Sequence, residues 1–292
     1  MRYKGEIFRP FSEANSYLLQ CTIGCSHNKC TFCGMYKSKK YRVRSMDEIM
    51  EDIHMAKEHY GDLDKVFLCD GDAIAIETDQ LLEILAELFK NFPSLRHVAA
   101  YVGPQSTLDK RMDELVKLEK AGLKKAYLGV ETGDDRLLKE INKGVTAAEM
   151  LKAGQNLVAS GMNLSVMVML GLAGNGPRSY EHALATAQIC DKIKPRYLAA
   201  LTTVPVKNTL LHKRMEAGDF HVLDAYETLE EMKTIFENIQ MDNLKFVGTH
   251  VSNFLPITGT LQKDKQEMLD LVNDVLETRK NLPERPIFNG RL

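Results

Sequence analysis

Short apolar segments alternate along the chain with longer amphipathic segments as far as about residue 215. Each apolar segment is rich in β-branched or aromatic residues, as expected of a strand that is buried on both faces of a sheet. Because repeated strand–helix–strand units pair in parallel with right-handed crossovers, the alternation predicts an α/β fold built on a parallel sheet. The six predicted strands span residues 16–20, 65–69, 97–102, 125–130, 163–170 and 197–201.

Capping signals mark helices between the predicted strands. Ser45 and Glu48 have the spacing of a capping box in front of an apolar repeat at helical spacing, and Thr146 and Glu149 repeat that spacing. Both pairs therefore predict the first turn of a helix. Further helices are predicted near residues 81–90, 112–121, 135–142 and 180–193.

The last part of the chain departs from this alternation. A complete eight-stranded barrel takes about 250 residues, whereas the six predicted units occupy only about residues 14–215. We therefore predict a partial (βα)6 TIM-type barrel at residues 1–215 with a carboxyl-terminal α/β extension at residues 216–292 that closes it. The extension is predicted to contain a helix at 225–239, a strand at 245–251 and a helix at 264–280.

Composition and charge exclude several classes of function. The formal net charge of −2 argues against a nucleic-acid-binding protein, which normally carries a basic excess. No apolar run approaches the roughly 18 to 20 residues that a membrane span requires. Residues 1–10 have no charged head followed by an apolar stretch, so no signal peptide is expected. We therefore expect a cytoplasmic protein with no membrane partner.

Four of the six cysteines lie within thirteen residues: Cys21, Cys25, Cys30 and Cys33. In a reducing compartment such a group of cysteines indicates metal binding rather than disulfides. Three kinds of site fit it: a structural zinc site on four cysteines, an electron-transfer cluster on four cysteines, and an iron–sulfur cluster on three that leaves one iron open. Paired C-x-x-C knuckles separated by a longer loop are the usual zinc spacing, and this continuous run does not have it.

The loop that follows the first predicted strand and ends Cys30-Thr-Phe-Cys33 resembles the cluster loop of the radical S-adenosylmethionine (SAM) superfamily. The resemblance implies a [4Fe-4S] cluster on Cys25, Cys30 and Cys33, with SAM chelating the open iron. The spacing of these residues is C-x4-C-x2-C, whereas the family pattern is C-x3-C-x2-C. Cys21 precedes Cys25 at the family's first spacing, but we expect it to be a core residue at the strand end. Phe32 occupies the place of an aromatic residue that packs near the cofactor.

Polar residues and glycines at the ends of later strands extend the resemblance over about residues 14–215. It implies that Asp70, Gly71 and Asp72 hold the SAM amino group. The remaining cofactor contacts that it implies are Glu131 and Lys143 at the ribose and carboxylate, and Gly171 and Thr203 beside the adenine. The family more often has Gln and Arg where this chain has Glu131 and Lys143. In its core the chain resembles a short single-domain member close to the oxygen-independent coproporphyrinogen oxidase and Elongator-type subgroup.

The resemblance implies an enzyme, an oxidoreductase or transferase, that cleaves SAM to methionine and a 5′-deoxyadenosyl radical. It also implies an electron donor such as flavodoxin or ferredoxin. The sequence lacks a cobalamin-binding half and has too few cysteines for a second cluster, which favours a small-molecule substrate. His250, Ser252 and Asn253 follow the last predicted strand and are candidate substrate contacts. No catalytic residue is assigned.

Two alternatives remain open from the sequence. The chain could be a coproporphyrinogen-type oxidative decarboxylase, although such members usually have a longer carboxyl-terminal domain. It could also be an iron–sulfur binding or carrier protein without radical chemistry.

Overall fold

The computed structural model describes residues 2–279 and residue 282. Its α-helices are α1 (Met46–Tyr60), α2 (Thr78–Asn91), α3 (Pro104–Asp109), α4 (Met112–Lys120), α5 (Asp135–Glu140), α6 (Ala147–Ala159), α7 (Pro177–Ile193), α8 (Leu210–Glu216), α9 (Ala225–Asn238) and α10 (Lys265–Thr278). Its strands are β1 (Tyr17–Leu19), β2 (Thr22–Ile23), β3 (Arg42–Val43), β4 (Lys65–Leu68), β5 (His97–Val102), β6 (Leu123–Glu131), β7 (Asn163–Leu170), β8 (Tyr197–Thr202), β9 (Leu244–Val247) and β10 (Thr258–Leu261).

Eight strands form one mostly parallel sheet in the order β1-β4-β5-β6-β7-β8-β9-β10. Strands β1, β4, β5 and β6 pair in parallel, as do β7, β8 and β9, and β10 runs antiparallel to β9. The six strands predicted before residue 215 correspond to β1 and to β4 through β8. The predicted α/β fold class is therefore confirmed.

Both predicted capping boxes are present. The Ser45 side chain accepts a hydrogen bond from the Glu48 amide while the Glu48 carboxylate accepts one from the Ser45 amide. Thr146 and Glu149 make the same reciprocal pair ahead of α6. These local contacts satisfy amide groups that a helix start leaves without an intrahelical partner, which is why the sequence alone locates them.

Several elements were not predicted. The strands β2 and β3 are two residues long, and β10 contains a single large apolar residue, so none of them carries a readable apolar alternation. The short helices α3 and α8, of six and seven residues, were not predicted either. The predicted last helix ended at residue 280, which lies outside the described residues.

The chain divides into two compact units. Unit 1 comprises the described residues of Met1–Asn28, Met35–Leu128 and Asn156–Leu164. Unit 2 comprises those of Lys29–Gly34, Gly129–Gln155 and Ser165–Leu292.

In unit 1 the helices α1 and α2 pack together and bury the apolar faces that their sequence periodicity predicts. On the sheet, Phe67, Tyr101 and Tyr127 make edge-to-face contacts with ring centroids 5.1 to 6.0 Å apart. The Tyr127 hydroxyl donates to the buried carboxylate of Glu13 at 2.5 Å. These contacts stabilise the sheet from which the strand-end loops of unit 1 emerge.

In unit 2 the helices α7 and α9 pack against each other. Phe236 of α9 contacts Phe246 of β9 edge to face at 4.7 Å, and both rings are almost fully buried. An edge-to-face pair of this kind contributes about 0.5–1.5 kcal/mol beyond its area burial. It fixes α9 on the strand that carries the 248–257 loop.

Candidate functional site

The first half of the cysteine loop lies in unit 1. Strands β2 and β3 pair antiparallel, with Thr22 opposite Val43 and Ile23 opposite Arg42. Gly24 then turns the chain with a φ of +78°, a value that favours glycine. This short ladder therefore fixes where the loop leaves the sheet, one residue before Cys25.

The Asp70-Gly71-Asp72 turn directly follows β4 and touches this part of the loop. The Asp70 carboxylate accepts hydrogen bonds from the Gly24 amide at 2.7 Å and from the Gln20 side chain at 3.0 Å. It also forms an ion pair with Lys39 at 2.9 Å in which both side chains are buried. Asp70 itself has a φ of +68°. Its carboxylate is thus already engaged by the chain.

Asp72 is fully buried and is likewise engaged. Its carboxylate accepts hydrogen bonds from the hydroxyls of Ser26 at 2.5 Å and Ser106 at 2.6 Å, and from the Gly103 amide at 2.8 Å. Burial raises the pKa of Asp72 above its ordinary value, and these hydrogen bonds act in the opposite direction. The three donors supply the polar contacts that a buried carboxylate requires.

The second half of the loop, residues 29–34, lies in unit 2. The Thr31 amide donates to the carbonyl of Ile141 at 2.9 Å, and the Thr31 carbonyl accepts from the Leu211 amide at 3.0 Å. A Cβ at Gly34 would come within 2.8 Å of the Val206 side chain. Cys30 and Cys33 therefore lie on a stretch that is held by the end of α5 and the start of α8.

The six cysteines fall into two groups by exposure. Cys21, Cys69 and Cys190 are completely buried, whereas Cys25, Cys30 and Cys33 are half-buried. Burial raises the pKa of Cys21 to about 12, and it raises those of the other two buried thiols as well. Cys21 is therefore a core thiol, whereas the three half-buried cysteines are the predicted ligands.

The three half-buried cysteines are the residues that could hold an iron–sulfur cluster. Within residues 2–279 and 282, no group of three or more His, Cys, Asp or Glu side chains is arranged to hold one metal ion. A [4Fe-4S] cluster is bound by thiolates, and Cys25, Cys30 and Cys33 remain its predicted ligands.

Glu131 and Lys143, which the resemblance implies as contacts to the ribose and carboxylate of SAM, lie next to each other. The Lys143 ammonium lies 2.7 Å from Glu131 Oε1, and both side chains are 11% exposed. Glu131 ends β6 with a φ of +64°. A Cβ at Gly129 would collide with the Glu131 carboxylate and approach Lys143 Nζ, so the absence of a side chain there leaves room for the pair.

Gly171 and Thr203 follow neighbouring strands of unit 2. The Thr203 amide donates to the carbonyl of Leu170 at 2.8 Å, so the two strand ends are joined beside Gly171. The Thr203 hydroxyl oxygen is buried and has no hydrogen-bond partner in the described part of the chain. Since buried hydroxyls are normally paired, this oxygen is suited to a bound polar group.

Glu231 of α9 was not predicted from the sequence, although it is among the most buried charged residues. Its carboxylate accepts hydrogen bonds from the Gly171 amide and from the Ser179 hydroxyl, both at 2.6 Å. Burial raises its pKa. The sequence does contain a sign that Glu231 is buried, because it lies beside Met232 and one turn before Ile235 on the apolar face of an amphipathic helix.

The three candidate substrate residues also lie together, and Ser252 and Asn253 contact the ends of neighbouring strands. The side-chain oxygen of Asn253 accepts hydrogen bonds from the backbone amide and the hydroxyl of Thr202. Its side-chain nitrogen donates to the backbone carbonyls of Ala200 and Gly248. The Ser252 hydroxyl accepts from the Thr202 amide at 3.0 Å and lies 2.8 Å from His250 Nδ1. These contacts join the ends of β8 and β9.

His250 is half-buried, and its burial lowers its pKa. Phe32, which was predicted to pack near the cofactor, is half-buried as well. The assignments of all these residues to cofactor or substrate remain predictions.

The model of the radical SAM superfamily matches residues 19–187, which is more than half of the chain. The chain belongs to the radical SAM superfamily. The superfamily and the prediction of an enzyme are thereby confirmed, and SAM-dependent radical chemistry is the general activity of this class.

Two curated relatives of this radical SAM protein are similar over most of its length. It is 22% identical to the 4′-phospho-dehydrooxetanocin synthase of Priestia megaterium over 88% of its chain and 36% of the relative. It is 23% identical to the heme chaperone HemW of Bacillus subtilis (strain 168) over 79% of its chain and 61% of the relative. The chain thus spans less than two thirds of the length of either relative.

Solved structures support the fold. Methylornithine synthase (PylB) matches with a TM-score of 0.57 and 14% identity, over 95% of this chain and 76% of that one. Streptococcus suis SuiB bound to S-adenosylmethionine matches with a TM-score of 0.57 and 14% identity, over 81% of this chain and 50% of that one. In the described residues of this radical SAM protein, no helix has the length and apolar character to cross a membrane.

Proposed function

We propose that this radical SAM enzyme holds a [4Fe-4S] cluster on Cys25, Cys30 and Cys33 and acts on a small-molecule substrate. When bound, the cluster supplies the electron that cleaves SAM to methionine and a 5′-deoxyadenosyl radical, which abstracts hydrogen from the substrate. The observation that carries the proposal is the division of the four clustered cysteines into one buried thiol, Cys21, and three half-buried thiols.

The exclusion of Cys21 from the ligand set rests on its burial. Thiolates, not thiols, bind metals, and an apolar environment disfavours the thiolate. Because burial raises the pKa of Cys21 to about 12, forming its thiolate is more costly than for an ordinary cysteine. A zinc site or cluster that uses all four cysteines would need Cys21, which is why a three-cysteine site is favoured.

In unit 2, the proposed SAM contacts are the strand-end residues Glu131, Gly171 and Thr203, together with Lys143 and with Phe32 of the loop. The Lys143 ammonium donates to Glu131, and we propose that it also contacts the carboxylate of SAM. It does so as a point charge and not as the two-pronged donor that Arg provides. The buried Thr203 hydroxyl and the backbone at Gly171 are proposed to line the adenine.

In unit 1, Gly71 is proposed to present its backbone to the SAM amino group, with Asp70 and Asp72 at its two sides. His250, Ser252 and Asn253 remain the proposed substrate contacts. Ser252 and Asn253 join the ends of two strands, whereas His250 contacts Ser252 within the same loop, so we favour His250 among the three as the substrate contact.

The organisation of the whole protein and its partners are also part of the proposal. Residues 1–215 are proposed to form the radical SAM core and residues 216–292 an extension that closes it. We propose a cytoplasmic enzyme, because its cluster is oxygen-sensitive, with an electron donor such as flavodoxin or ferredoxin. One relative is named a heme chaperone. Because of that name, we keep an iron–sulfur binding or carrier protein without radical chemistry as the second candidate function.

The test is reductive SAM cleavage by the whole chain. The protein is reconstituted anaerobically with iron and sulfide, reduced with dithionite and given SAM, and 5′-deoxyadenosine is measured by chromatography. We expect cluster-dependent 5′-deoxyadenosine, with none from protein that was left unreconstituted. A redox-active cluster that neither binds nor cleaves SAM would favour the carrier role instead.

A further inference from the structure

Two three-residue segments of unit 1 contact each other residue by residue. One is Gly24-Cys25-Ser26 of the cysteine loop, and the other is Asp70-Gly71-Asp72 after β4. Gly24 contacts Asp70, Cys25 lies against Gly71, and Ser26 contacts Asp72. The central residue of the first segment is the proposed cluster ligand.

The contact on the amino-terminal side of Cys25 is made by a charged group. The Gly24 amide donates to Asp70 Oδ2 at 2.7 Å, and the Gly24 carbonyl accepts from the Gly71 amide at 3.0 Å. Asp70 is in turn fixed by the buried ammonium of Lys39 at 2.9 Å. A hydrogen bond to a charged acceptor is about twice as strong as a neutral one, so this end of the segment is strongly held.

The contact at Cys25 itself depends on the absence of a side chain opposite it. A Cβ at Gly71 would lie 2.6 Å from the Cys25 Cβ and 3.0 Å from the Tyr36 ring. Real Cβ atoms do not approach this closely, so any side chain at Gly71 would displace Cys25. The turn after β4 therefore sets the position of the Cys25 side chain directly.

The contact on the carboxyl-terminal side of Cys25 connects the cysteine loop to the segment that follows β5. Asp72 accepts from the Ser26 hydroxyl, and the same oxygen accepts from the Ser106 hydroxyl of α3. Asp72 Oδ1 accepts from the Gly103 amide at the end of β5. Ser26 is thus tied to a carboxylate that is itself fixed by two groups from outside the loop.

We propose that Asp70 and Asp72 are positioning residues that hold Gly24 and Ser26, the residues on either side of Cys25, so that this thiol is placed for the cluster before any cluster is bound. This rests on the proposed function for the identity of the ligand, but the preorganisation belongs to the apoprotein. The carboxylates act on the loop, and the SAM amino group is left to the backbone of Gly71.

The chain offers a matched pair of substitutions for the test. Ser26→Ala and Ser106→Ala each remove one hydroxyl from the same oxygen of Asp72, but only Ser26 belongs to the loop. In the apoprotein, the rate of Cys25 alkylation by iodoacetamide is measured by peptide mass mapping, with Cys30 and Cys33 as internal references. We expect Ser26→Ala to accelerate alkylation of Cys25 about tenfold, since hydrogen bonds to charged groups are of that strength. Ser106→Ala should change it less than about twofold.

A second variant tests the other side of Cys25. Asp70→Asn keeps an acceptor for the Gly24 amide but removes the charge, so we expect faster hydrogen exchange at that amide and faster release of iron from the reconstituted protein to a chelator. Circular dichroism checks that each variant is folded. If Asp70→Asn does not fold, the Ser26 and Ser106 pair decides the question alone.

Equal alkylation rates for Ser26→Ala and Ser106→Ala would overturn the proposal. A weaker affinity for SAM in Ser26→Ala with unchanged Cys25 alkylation would also overturn it, because Asp72 would then serve the cofactor and not the loop. If only the proposed function is wrong, the result is different. The variants then show the expected alkylation rates of Cys25, but the chain assembles no cluster or cleaves no SAM.

Discussion

Glu131 and Lys143 form an ion pair of 2.7 Å in which each side chain is 11% exposed. Removing one partner of a buried pair leaves the other as an uncompensated charge, which is more costly than losing the attraction alone. We expect Lys143→Ala to lower the free energy of unfolding by about 1–3 kcal/mol, less than for a fully buried pair because water reaches both groups. Urea denaturation measures this change.

Substitutions of Lys143 distinguish a structural role of this ion pair from a role in binding the cofactor. Lys143→Arg keeps the charge and should retain most of the stability, and SAM affinity in Lys143→Arg should be equal to or above that of the natural chain. A SAM affinity that is unchanged in Lys143→Ala would show that the pair is structural only.

His250 is expected to be neutral and to carry its proton on Nε2. The Ser252 amide, which can only donate, lies 3.2 Å from Nδ1, so Nδ1 is the acceptor in the neutral ring. Nitrogen-15 chemical shifts of the imidazole report which nitrogen is protonated. A neutral ring protonated on Nδ1 would contradict this contact.

Because burial lowers the pKa of His250 in the folded chain, the unfolded chain binds the proton more readily. His250 therefore lowers the free energy of unfolding as the pH falls below about 6.5, the ordinary histidine pKa. This loss of stability stops growing once the pH is below the pKa of His250 in the folded chain. His97 should add to it, since burial lowers its pKa as well. Urea denaturation between pH 5 and 7.5 should show a shallower pH dependence for His250→Gln than for the natural chain. An unaltered dependence would mean that His250 titrates normally.

The two groups of cysteines predict a pattern of thiol reactivity. In the folded apoprotein near pH 8, Cys25, Cys30 and Cys33 should be alkylated by iodoacetamide, whereas Cys21, Cys69 and Cys190 should react only after unfolding. The reason is that the last three are buried with raised pKa values. Mass mapping of the alkylated peptides checks this, and rapid labelling of Cys21 would remove the basis for excluding it as a ligand.

Glu231 is expected to hold the loop after β7. Glu231→Ala leaves the buried Gly171 amide and the Ser179 hydroxyl without their acceptor, so we expect a loss of about 2–4 kcal/mol in the free energy of unfolding. Glu230→Ala is the matched control, because that neighbouring side chain is exposed, and its effect should be within about 0.5 kcal/mol. Similar losses in both variants would mean that helix α9, not the Gly171 contact, is affected.

The sequence predicts the parts of this molecule that depend on local chemistry. The capping boxes at Ser45 and Thr146 each need only residues three positions apart, and the strands β5 and β7 are predominantly apolar segments. The cysteine loop and the strand-end residues were visible for the same reason, since each is a short motif.

Contacts between distant segments could not be predicted in the same way. Ser26 and Asp72 are separated by 46 residues, as are Gly24 and Asp70, and nothing in either local pattern indicates that they meet. The pairing of Glu231 with Gly171 spans 60 residues and depends on how α9 packs. The seven-residue helix α8 was not predicted, and its contact with Thr31, 180 residues earlier in the chain, was missed with it.

The central claim is that Cys25, Cys30 and Cys33, and not Cys21, are the ligands of a cluster that cleaves SAM. The most direct measurement is 5′-deoxyadenosine formed per reconstituted chain in four single Cys→Ala variants at these positions, with iron content measured in parallel. The account predicts that the variants at 25, 30 and 33 lose the cluster and the product, whereas Cys21→Ala keeps both. Loss of product in Cys21→Ala together with activity in Cys25→Ala would contradict it.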